Sequence, residues 1–404
     1  MVIGIIGGGA SGMAAALAAA QKPNNQILLF ERQARLGRKL QATGNGRCNL
    51  SNLHAGPDCY HGDDPDFAAS AVKAYPPERI LQWFEDMGLF TVAEESGRIY
   101  PYSDQANSVV DVLRFALDKP NITLILGTEI AKARRIGSQF SLETEDGKYI
   151  CDRLIVACGG LAGTKLGGSM SGYKLLAKFG HRSTRLRPAL VQLKSSWNGV
   201  VGLKGVRANC HAQILHDGIL FSQSTGELQF TEYGLSGPVI FEISRDVCHK
   251  PGQWVCRLDF LPHLEQKTLM NALMKRKNTP LLCEDILTGI LHNRLGRVLT
   301  KAVGIPGNLP VSQLEDDRLE ALCVAVKAFD ITVTEPLGMD SAQVTAGGVI
   351  TADFDPATME SRLVPGLYAC GEVLDIDGDC GGYNLQWAWS SGLTAGSHAG
   401  KDNT

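Results

Sequence analysis

The chain has 404 residues, which exceeds one ordinary domain and favours two or three. Hydrophobic residues make up 44% and charged residues 20%, as is typical of a globular protein with a large buried core. The formal net charge of -3 argues against a strongly basic surface for nucleic acid or an anionic membrane. We therefore predict a small-molecule substrate, with neither nucleic acid nor a membrane as a partner.

The first twenty residues are apolar, but they lack a positively charged start, and their glycines suit a strand-to-helix turn. A signal peptide or membrane helix is the disfavoured alternative. The eleven cysteines show no CxxC spacing, and the chain has no HExxH. This pattern predicts no metal site and no disulfide framework, and free thiols fit a reducing cytoplasm.

The chain opens with a predicted βαβ unit: a buried strand VIGII, a small-residue helix ending near Ala20, and a second strand QILLFE. A G-x-G-x-x-G fingerprint lies between the first strand and the helix. It consists of Gly7, Gly8, Gly9, Ala10, Ser11 and Gly12. Such glycines permit a tight turn, a close approach to a pyrophosphate and close helix packing.

The second strand ends at Glu31, where a carboxylate can accept the ribose hydroxyls of a dinucleotide. The Glu31 carboxylate would repel the 2′-phosphate of NADP, although the positive charge of the neighbouring Arg32 weakens this argument against NADP. Together, the strand, glycines, helix and acid in register predict a dinucleotide site, with a purely structural turn as the alternative.

The following segments alternate between loop, helix and strand patterns. Residues 36–52 are rich in Gly, Arg and Asn, which indicates a long ordered loop. Helical patterns cover 77–87 and 107–117. Strand patterns fill 121–160, and the last of them is an apolar run that ends on Gly159-Gly160.

The middle of the chain has a different character. Residues 190–262 alternate polar and apolar positions between turns, which predicts an antiparallel β-barrel domain. Residues 263–330 have helical periodicity, including a continuous stretch over 281–303, and predict a small helical insert. Short strands and glycine turns return in 331–404. We predict an α/β fold whose Rossmann-like domain, 1–189 with 331–404, is interrupted by these two inserts.

The C-terminal segment favours FAD over NAD as the cofactor. FAD carries a ribityl-isoalloxazine end that must be sheltered along its length. A strand ending at Gly371 and Glu372 could meet the pyrophosphate and ribityl oxygens. A last helix, opened by Gly381-Gly382-Tyr383-Asn384, could direct its positive end at the flavin pyrimidine. A simple helix start is the alternative.

Several motifs together resemble the BaiN-like family of FAD-dependent oxidoreductases, which are glutathione-reductase-like flavoproteins. The motifs are IIGGGASGM, LGRKLQATGNGRCNLSN, LIVACGG, FTEYGLSGPVIF, VTAGGV and GLYACGEVLDIDGDCGGYNLQWAWSSG. The resemblance covers nearly the whole chain and implies an FAD domain with inserted β-barrel and helical domains. Known members include reductases proposed to act on carbon–carbon double bonds of steroid-like substrates, and oxidases of small amino ketones.

The resemblance also implies specific contacts. Flavin or pyrophosphate contacts would come from Lys39, Gly46, Arg47, Cys48 and Asn49, and Ile130 would lie near the adenine. Cys48 is either a functional thiol or, as we favour, a packed side chain. The complete set of candidate cofactor residues is Gly7, Gly9, Ala10, Ser11, Gly12, Glu31, Arg32, Lys39, Gly46, Arg47, Cys48, Asn49, Ile130, Gly159, Gly371, Glu372, Gly382, Tyr383 and Asn384.

The chain has one dinucleotide fingerprint and no CxxxxC redox disulfide motif, so NAD(P)H would bind only transiently over the flavin. The candidate catalytic residues are Tyr383, Tyr100 and Arg98. Tyr383 could line the face of the flavin ring. Tyr100 and Arg98, together with Tyr102, could orient a carbonyl or carboxylate group, with ordinary loop packing as the favoured alternative. Our leading hypothesis is an NAD(P)H-linked reductase of an unsaturated or carbonyl-type small molecule, acting as a monomer or homodimer. An oxidase of a small amine or amino ketone that produces peroxide is the alternative, and a non-catalytic flavin-containing accessory protein is a weaker one.

Overall fold

The chain divides into two compact units in a computed structural model that describes residues 1–250 and 252–401. The first unit combines Met1–Arg187 with Gln343–Thr404, and the second is Pro188–Ala342. Both ends of the chain therefore contribute to one unit. The finer domain boundaries at residues 190, 262 and 330 stay predictions.

The β-strands are short, apart from two long strands in the second unit. In chain order they are β1 (Val2–Ile6), β2 (Gln26–Glu31), β3 (Ser51–Asn52), β4 (Tyr60–His61), β5 (Thr91–Ala93), β6 (Arg98–Pro101), β7 (Ile122–Leu126), β8 (Lys132–Ile136), β9 (Gln139–Glu143), β10 (Lys148–Cys151), β11 (Arg153–Val156), β12 (Arg187–Ala189), β13 (Leu193–Ser195), β14 (Arg207–His216), β15 (Ile219–Phe230), β16 (Gly234–Ser236), β17 (Trp254–Asp259), β18 (Phe329–Pro336), β19 (Val344–Ala346), β20 (Leu367–Ala369) and β21 (Asp377–Gly378).

The α-helices range from one turn to nearly five turns. They are α1 (Ala10–Ala19), α2 (Arg38–Ala42), α3 (Phe67–Ala74), α4 (Pro77–Asp86), α5 (Ala106–Ala116), α6 (Ser171–Lys178), α7 (Gly199–Gly202), α8 (Pro238–His249), α9 (Gln266–Arg276), α10 (Asn293–Ala302), α11 (Asp316–Lys327) and α12 (Tyr383–Ala399).

A parallel sheet forms the centre of the first unit. Its strand order is β20-β11-β1-β2-β7, and every neighbouring pair is parallel. The strands are rich in Ile, Leu and Val because both faces of a parallel sheet are covered. Helix α1, composed almost wholly of small residues, is buried along nearly its entire length. The predicted Rossmann-type α/β fold is confirmed.

Three smaller sheets complete the first unit. Strands β10-β9-β8 and β3-β6-β5 form antiparallel three-stranded sheets, and β21 pairs with β4. The last pairing joins two segments that are more than 300 residues apart in the chain. It places residues immediately before α12 next to the N-terminal half of the unit.

The second unit contains the predicted antiparallel barrel, which closes in the order β13-β16-β15-β14-β17-β18. Its sixth strand, β18, lies after the helical segment, so residues predicted to begin the last α/β part complete the barrel instead. The pattern-based expectation of β structure throughout 190–262 also misses α8. Helix α8 buries Val239, Ile240, Ile243 and Val247, an apolar stripe of helical spacing.

Two local predictions are wrong. The continuous helix expected over 281–303 reduces to α10, preceded by a single 3-10 turn at Cys283–Asp285. Gly289 has a left-handed φ of 79°, which interrupts helical geometry, and the buried apolar residues before it fill the core from an irregular segment. The stretch 36–52, expected to be a loop, contains α2.

No helix in the described part of the chain combines the length and apolar character needed to cross a membrane.

Candidate cofactor and active site

The turn between β1 and α1 has the geometry of a dinucleotide-binding turn. Gly7 adopts a left-handed φ of 114°. A Cβ atom on Gly12 would lie 1.8 Å from the Gly7 carbonyl oxygen, so only glycine fits there. A Cβ atom on Gly9 would meet no atom within 4 Å. The first turn of α1, with Ala10 and Ser11, thus begins beside open space, where the positive end of a helix favours a phosphate.

Glu31 is held by the main chain beside this turn. One carboxylate oxygen accepts the Gly8 N–H at 2.7 Å, and the other accepts the Gln33 N–H at 2.7 Å. Arg32 turns elsewhere and donates to the Gly167 carbonyl oxygen at 2.6 Å. Each Glu31 oxygen keeps a further lone pair, so the carboxylate can still accept a ribose hydroxyl.

A cavity opens beside Glu31 at the carboxyl ends of the sheet strands. It is lined by Ile6, Gly7, Phe30, Glu31, Arg32, Thr128, Glu129, Ile130, Cys158, Gly167, Ser169, Ser171 and Leu175. Ile130, which follows the end of β7, is 4% exposed and forms part of the cavity wall. The adenosine half of a dinucleotide is expected at this edge of an open α/β sheet.

The predicted C-terminal residues meet the N-terminal helix. A Cβ atom on Gly371, whose φ is 75°, would lie 2.5 Å from the Ser11 Oγ. The Gly371 N–H donates to the Ser391 Oγ of α12 at 3.0 Å. Glycine is required at position 371 because the end of β20 approaches α1 so closely.

Glu372 joins three separate segments. Its Oε2 lies 2.7 Å from the Lys39 Nζ, and its Oε1 accepts the Thr345 N–H at 2.8 Å. The Thr345 hydroxyl oxygen in turn accepts the Ala162 N–H at 2.9 Å. The Lys39 and Glu372 side chains remain 31% and 20% exposed, so their charges are accessible to a ligand. Nothing but its place in the VTAGGV motif indicates Thr345 from the sequence.

Helices α1 and α12 run in parallel and touch backbone to backbone. A Cβ atom on Gly392 would lie 2.4 Å from the Ser11 carbonyl oxygen, and one on Gly396 would lie 2.2 Å from that of Ala15. Helix α12 begins nine residues before Gly392, at Tyr383, so it extends roughly 13 Å beyond this contact at 1.5 Å per residue. Its N-terminus therefore projects past the N-terminus of α1.

The GNGRCN segment packs against the start of α12. Gly44, Asn45, Gly46 and Cys48 all adopt positive φ angles, which folds the segment into a compact loop. A Cβ atom on Gly382 would lie 2.2 Å from the Ser51 carbonyl oxygen and 2.8 Å from the Asn49 Oδ1. The loop therefore approaches the N-terminus of the helix as closely as two main chains can.

Two residues of this loop, Arg47 and Cys48, have defined surroundings: the first pairs with acidic side chains and the second is buried. Arg47 forms ion pairs with Asp104 and, at 3.1 Å, with Glu94, and its guanidinium carbon lies 3.9 Å from the Tyr100 ring centroid. Cys48 is fully buried, and burial raises the pKa of its thiol to about 12. Cys48 is therefore a neutral packed thiol in this structure, whereas a Cβ on Gly46 would meet open space.

The three candidate catalytic residues lie near Gly381. A Cβ atom on Gly381 would be 3.3 Å from the Arg98 Nε and 3.4 Å from the Tyr383 Cε2. The Asn52 Nδ2, which the sequence did not single out, donates to the Gly381 carbonyl oxygen at 2.9 Å. Tyr100 is 7% exposed on the same strand as Arg98, and burial raises its pKa. Arg98 and Tyr383 thus meet at the N-terminus of α12, with Tyr100 beside them.

The remaining candidates have different roles. The Asn384 side chain accepts the Gly378 N–H at 2.8 Å and donates to the Gly378 carbonyl oxygen at 2.7 Å, so it holds the turn before α12. Gly159, with a φ of 69°, has open space where a Cβ would lie. Among the residues that the structure describes, no three His, Cys, Asp or Glu side chains form a group that could hold a metal ion. The cofactor and catalytic roles of all these residues stay predictions.

Comparison with known proteins places the chain in a family. Residues 1–398 match the family model described as HI0933-like protein Rossmann domain. The chain is 40% identical to the 3-dehydro-bile acid delta(4,6)-reductase of Clostridium scindens, covering 98% of both chains. It is 32% identical to the ribosomal RNA dihydrouridine synthase of Escherichia coli, covering 96% of this chain and 95% of that one.

A solved structure shares the fold. The 3-ketosteroid delta1-dehydrogenase from Sterolibacterium denitrificans, in complex with 1,4-androstadiene-3,17-dione, gives a TM-score of 0.52 at 12% identity and covers 98% of this chain and 99% of that one. At this identity the match supports the fold alone. The chain belongs to the HI0933-like family, as the sequence motifs predict, and is a flavin-dependent oxidoreductase.

Proposed function

We propose that the protein is an FAD-dependent reductase that takes electrons from NAD(P)H and reduces a carbon–carbon double bond conjugated with a carbonyl group. The observation that carries the proposal is the 40% identity, over 98% of both chains, to a reductase named for a 3-dehydro bile acid. The polar residues at the N-terminus of α12 support it, because they can bind a carbonyl oxygen.

The residues present fit FAD. A Cβ atom on Gly9, Gly46 or Gly159 would meet no atom within 4 Å, so each of these glycines lies beside open space. The Glu31 carboxylate can accept ribose hydroxyl groups in addition to the Gly8 N–H, and the Lys39–Glu372 pair offers a further donor and acceptor. The extension of α12 past α1 suits the ribityl and ring portion that NAD lacks. When bound and reduced, the flavin supplies a hydride.

The chain's own residues would bind and polarise the substrate. The Arg98 guanidinium, beside Gly381, donates hydrogen bonds to the carbonyl oxygen and draws electron density away from the conjugated double bond. Tyr383, at the same point, supplies the proton at the carbon next to the carbonyl, so that one hydride and one proton add across the bond. Tyr100 lies two residues from Arg98 on the same strand, and burial raises the pKa of its hydroxyl group still further above neutral pH.

Anaerobic spectroscopy of the FAD-loaded protein tests the proposal in two steps. NADH or NADPH should bleach the oxidised flavin band, and a 4-ene-3-keto steroid added next should restore it with formation of the saturated ketone. If the reduced flavin persists in the presence of several conjugated ketones, the proposed substrate class is wrong. A flavin that NAD(P)H leaves oxidised, but that a small amine reduces with peroxide formed in air, would instead identify an oxidase.

A second candidate function is reduction of a uracil base in RNA. It is favoured by the 32% identity to a ribosomal RNA dihydrouridine synthase over nearly the whole chain. The uracil ring also contains a double bond conjugated with a carbonyl, so the same residues at Gly381 could act on it. Reoxidation of the reduced enzyme by RNA lacking the modification, but not by the steroid, would select this function.

A further inference from the structure

We infer that one face of the β3-β6-β5 sheet is the binding platform for the apolar body of the substrate, which is a fused-ring, steroid-type ketone. This inference rests on the proposed reduction of a conjugated carbonyl compound. The platform is formed by Phe90, Val92, Arg98, Tyr100 and Tyr102, with Arg47 lying across its middle. It leads from the start of α12 to the protein surface.

The strand register places these side chains on one face. Val92 of β5 lies directly opposite Tyr100 of β6, and the Tyr102 N–H donates to the Phe90 carbonyl oxygen at 2.8 Å. Side chains two residues apart on a strand point to the same side of a sheet. Phe90 and Tyr102 lie one residue beyond the ends of β5 and β6, and the hydrogen bond between them continues the strand pairing. We therefore place both on the same face as Val92, Tyr100 and Arg98.

The inner end of this face is continuous with the candidate active site. Arg98 lies opposite Asn52 of β3, and both side chains reach Gly381 just before α12. A substrate whose carbonyl oxygen is bound by Arg98 has its remaining body directed along the platform or into solvent. The platform begins at Arg98 and thus offers a surface for the rest of a long substrate.

The outer end is apolar and exposed. Phe90 is 64% exposed, Val92 43% and Tyr102 76%. Single exposed apolar residues are ordinary, but these three are neighbours on one sheet face, and clustered apolar surface marks a binding site. Three large side chains at one end and a guanidinium at the other match a molecule that is apolar along its length and polar at one tip.

Arg47 covers the middle of the platform with its planar guanidinium group, which pairs with two carboxylates. Its guanidinium covers the Tyr100 ring and pairs with Glu94 and Asp104, and its side chain remains 39% exposed. A planar guanidinium stacks well against flat groups. Because its two carboxylate partners more than offset its positive charge, this region disfavours a phosphate backbone and accepts an uncharged ring system.

The length of the platform selects among substrates. Arg98 and Tyr102 are four residues apart on extended chain, which corresponds to about 13 Å. Four fused rings extend over a comparable length, whereas a single ring bound at Arg98 would not reach Tyr102 or Phe90. The outer residues should therefore matter for a steroid-type ketone and not for a one-ring ketone or a uracil.

Two serine variants at exposed positions test this. Phe90→Ser and Tyr102→Ser should weaken binding of a 4-ene-3-keto steroid to the oxidised, FAD-loaded protein about tenfold, as measured by calorimetry. In turnover, KM for the steroid should rise similarly, while kcat and the kcat/KM for 2-cyclohexen-1-one stay within about twofold. The control is Phe115→Ser on α5, which is 66% exposed in the same unit and should change nothing.

Three results would overturn the inference. The first is an unchanged steroid affinity in both variants, and the second is an equal loss of kcat/KM for the steroid and the one-ring ketone. The third is a sedimentation result in which the variants differ from the parent protein in oligomeric state, which would mean that a second copy of the chain covers the platform. The binding measurement separates this inference from the proposed function. Platform-dependent steroid binding without turnover would refute only the reductase, and steroid turnover insensitive to both variants would refute only the platform.

Discussion

Replacing Gly392 with alanine perturbs the contact that aligns α12 with α1. The added Cβ atom would lie 2.4 Å from the Ser11 carbonyl oxygen and 3.0 Å from two further main-chain atoms of Ser11. Ordinary contact begins at 3.4 Å, so the two helices would have to separate by about 1 Å. Ser11 lies in the first turn of α1, so the same shift disturbs the expected phosphate position.

The magnitude follows from two opposing effects. Over-packing a tightly packed core costs about 1–3 kcal/mol, and replacing glycine with alanine inside a helix returns up to about 1 kcal/mol. The main-chain atoms of Ser11 cannot rotate out of the way, so the cost should be near the upper end. We expect the free energy of unfolding to fall by about 2 kcal/mol and the FAD dissociation constant to rise at least about tenfold.

Urea unfolding followed by circular dichroism, together with FAD titration of the cofactor-free protein, measures both effects. Gly56→Ala is the matched control, because its Cβ would lie 3.9 Å from the nearest atom and its φ of -136° suits alanine. That variant should be as stable as the parent or slightly more so. A Gly392→Ala protein with parental stability and FAD affinity would show that the helices do not pack as described.

Three further predictions concern single side chains. Glu31→Gln should weaken FAD binding at least about tenfold in a fluorescence titration, because the carboxylate accepts the Gly8 N–H and would face the ribose; parental affinity would exclude a cofactor role for Glu31. Iodoacetamide at pH 8 should modify Cys59 and spare buried Cys48. The free energy of unfolding should also decline between pH 9 and about 12, because the Cys48 thiol has a pKa of 9.0 in the unfolded chain and of about 12 in the folded protein, and therefore ionises first in the unfolded chain. Fast labelling of Cys48 in peptide mapping would contradict its burial. Arg98→Met should lower kcat for the conjugated ketone about a hundredfold and leave flavin reduction by NAD(P)H unchanged in stopped-flow measurements; equal loss in both half-reactions would place Arg98 at the cofactor only.

The βαβ unit and its glycine turn could be predicted because their determinants are local. Gly7, Gly9 and Gly12 occur within six residues, and the strand and helix on either side have distinct periods. The continuous helix expected over 281–303 was wrong for a related reason. A buried apolar run has the same composition whether it is helical or irregular, and only Gly289 indicated the break.

The barrel and its helix show where periodicity is insufficient. Alternating strands predict an antiparallel barrel, and the closed six-stranded barrel confirms it. Its closure by β18, however, depends on a pairing with β13 across more than 130 residues, and α8 lies between the barrel strands β16 and β17. The pairing of β18 with β13 has no local sequence pattern that determines it, because it is selected by the surface that it covers. Helix α8 does carry a local signal, its apolar stripe of helical spacing, which the β pattern assigned to residues 190–262 overlooked.

Short motifs with fixed spacing were enough to predict the class of cofactor, the Rossmann-type fold and the family, since they encode a turn that only glycine can form. Tertiary structure alone decided which distant residues meet. The Lys39–Glu372 pair and the approach of Arg98 to Gly381 each join segments more than 280 residues apart, through the packing of α12 on α1. The physical reason is that backbone turns are local, whereas a binding site depends on the register of elements held together by the core.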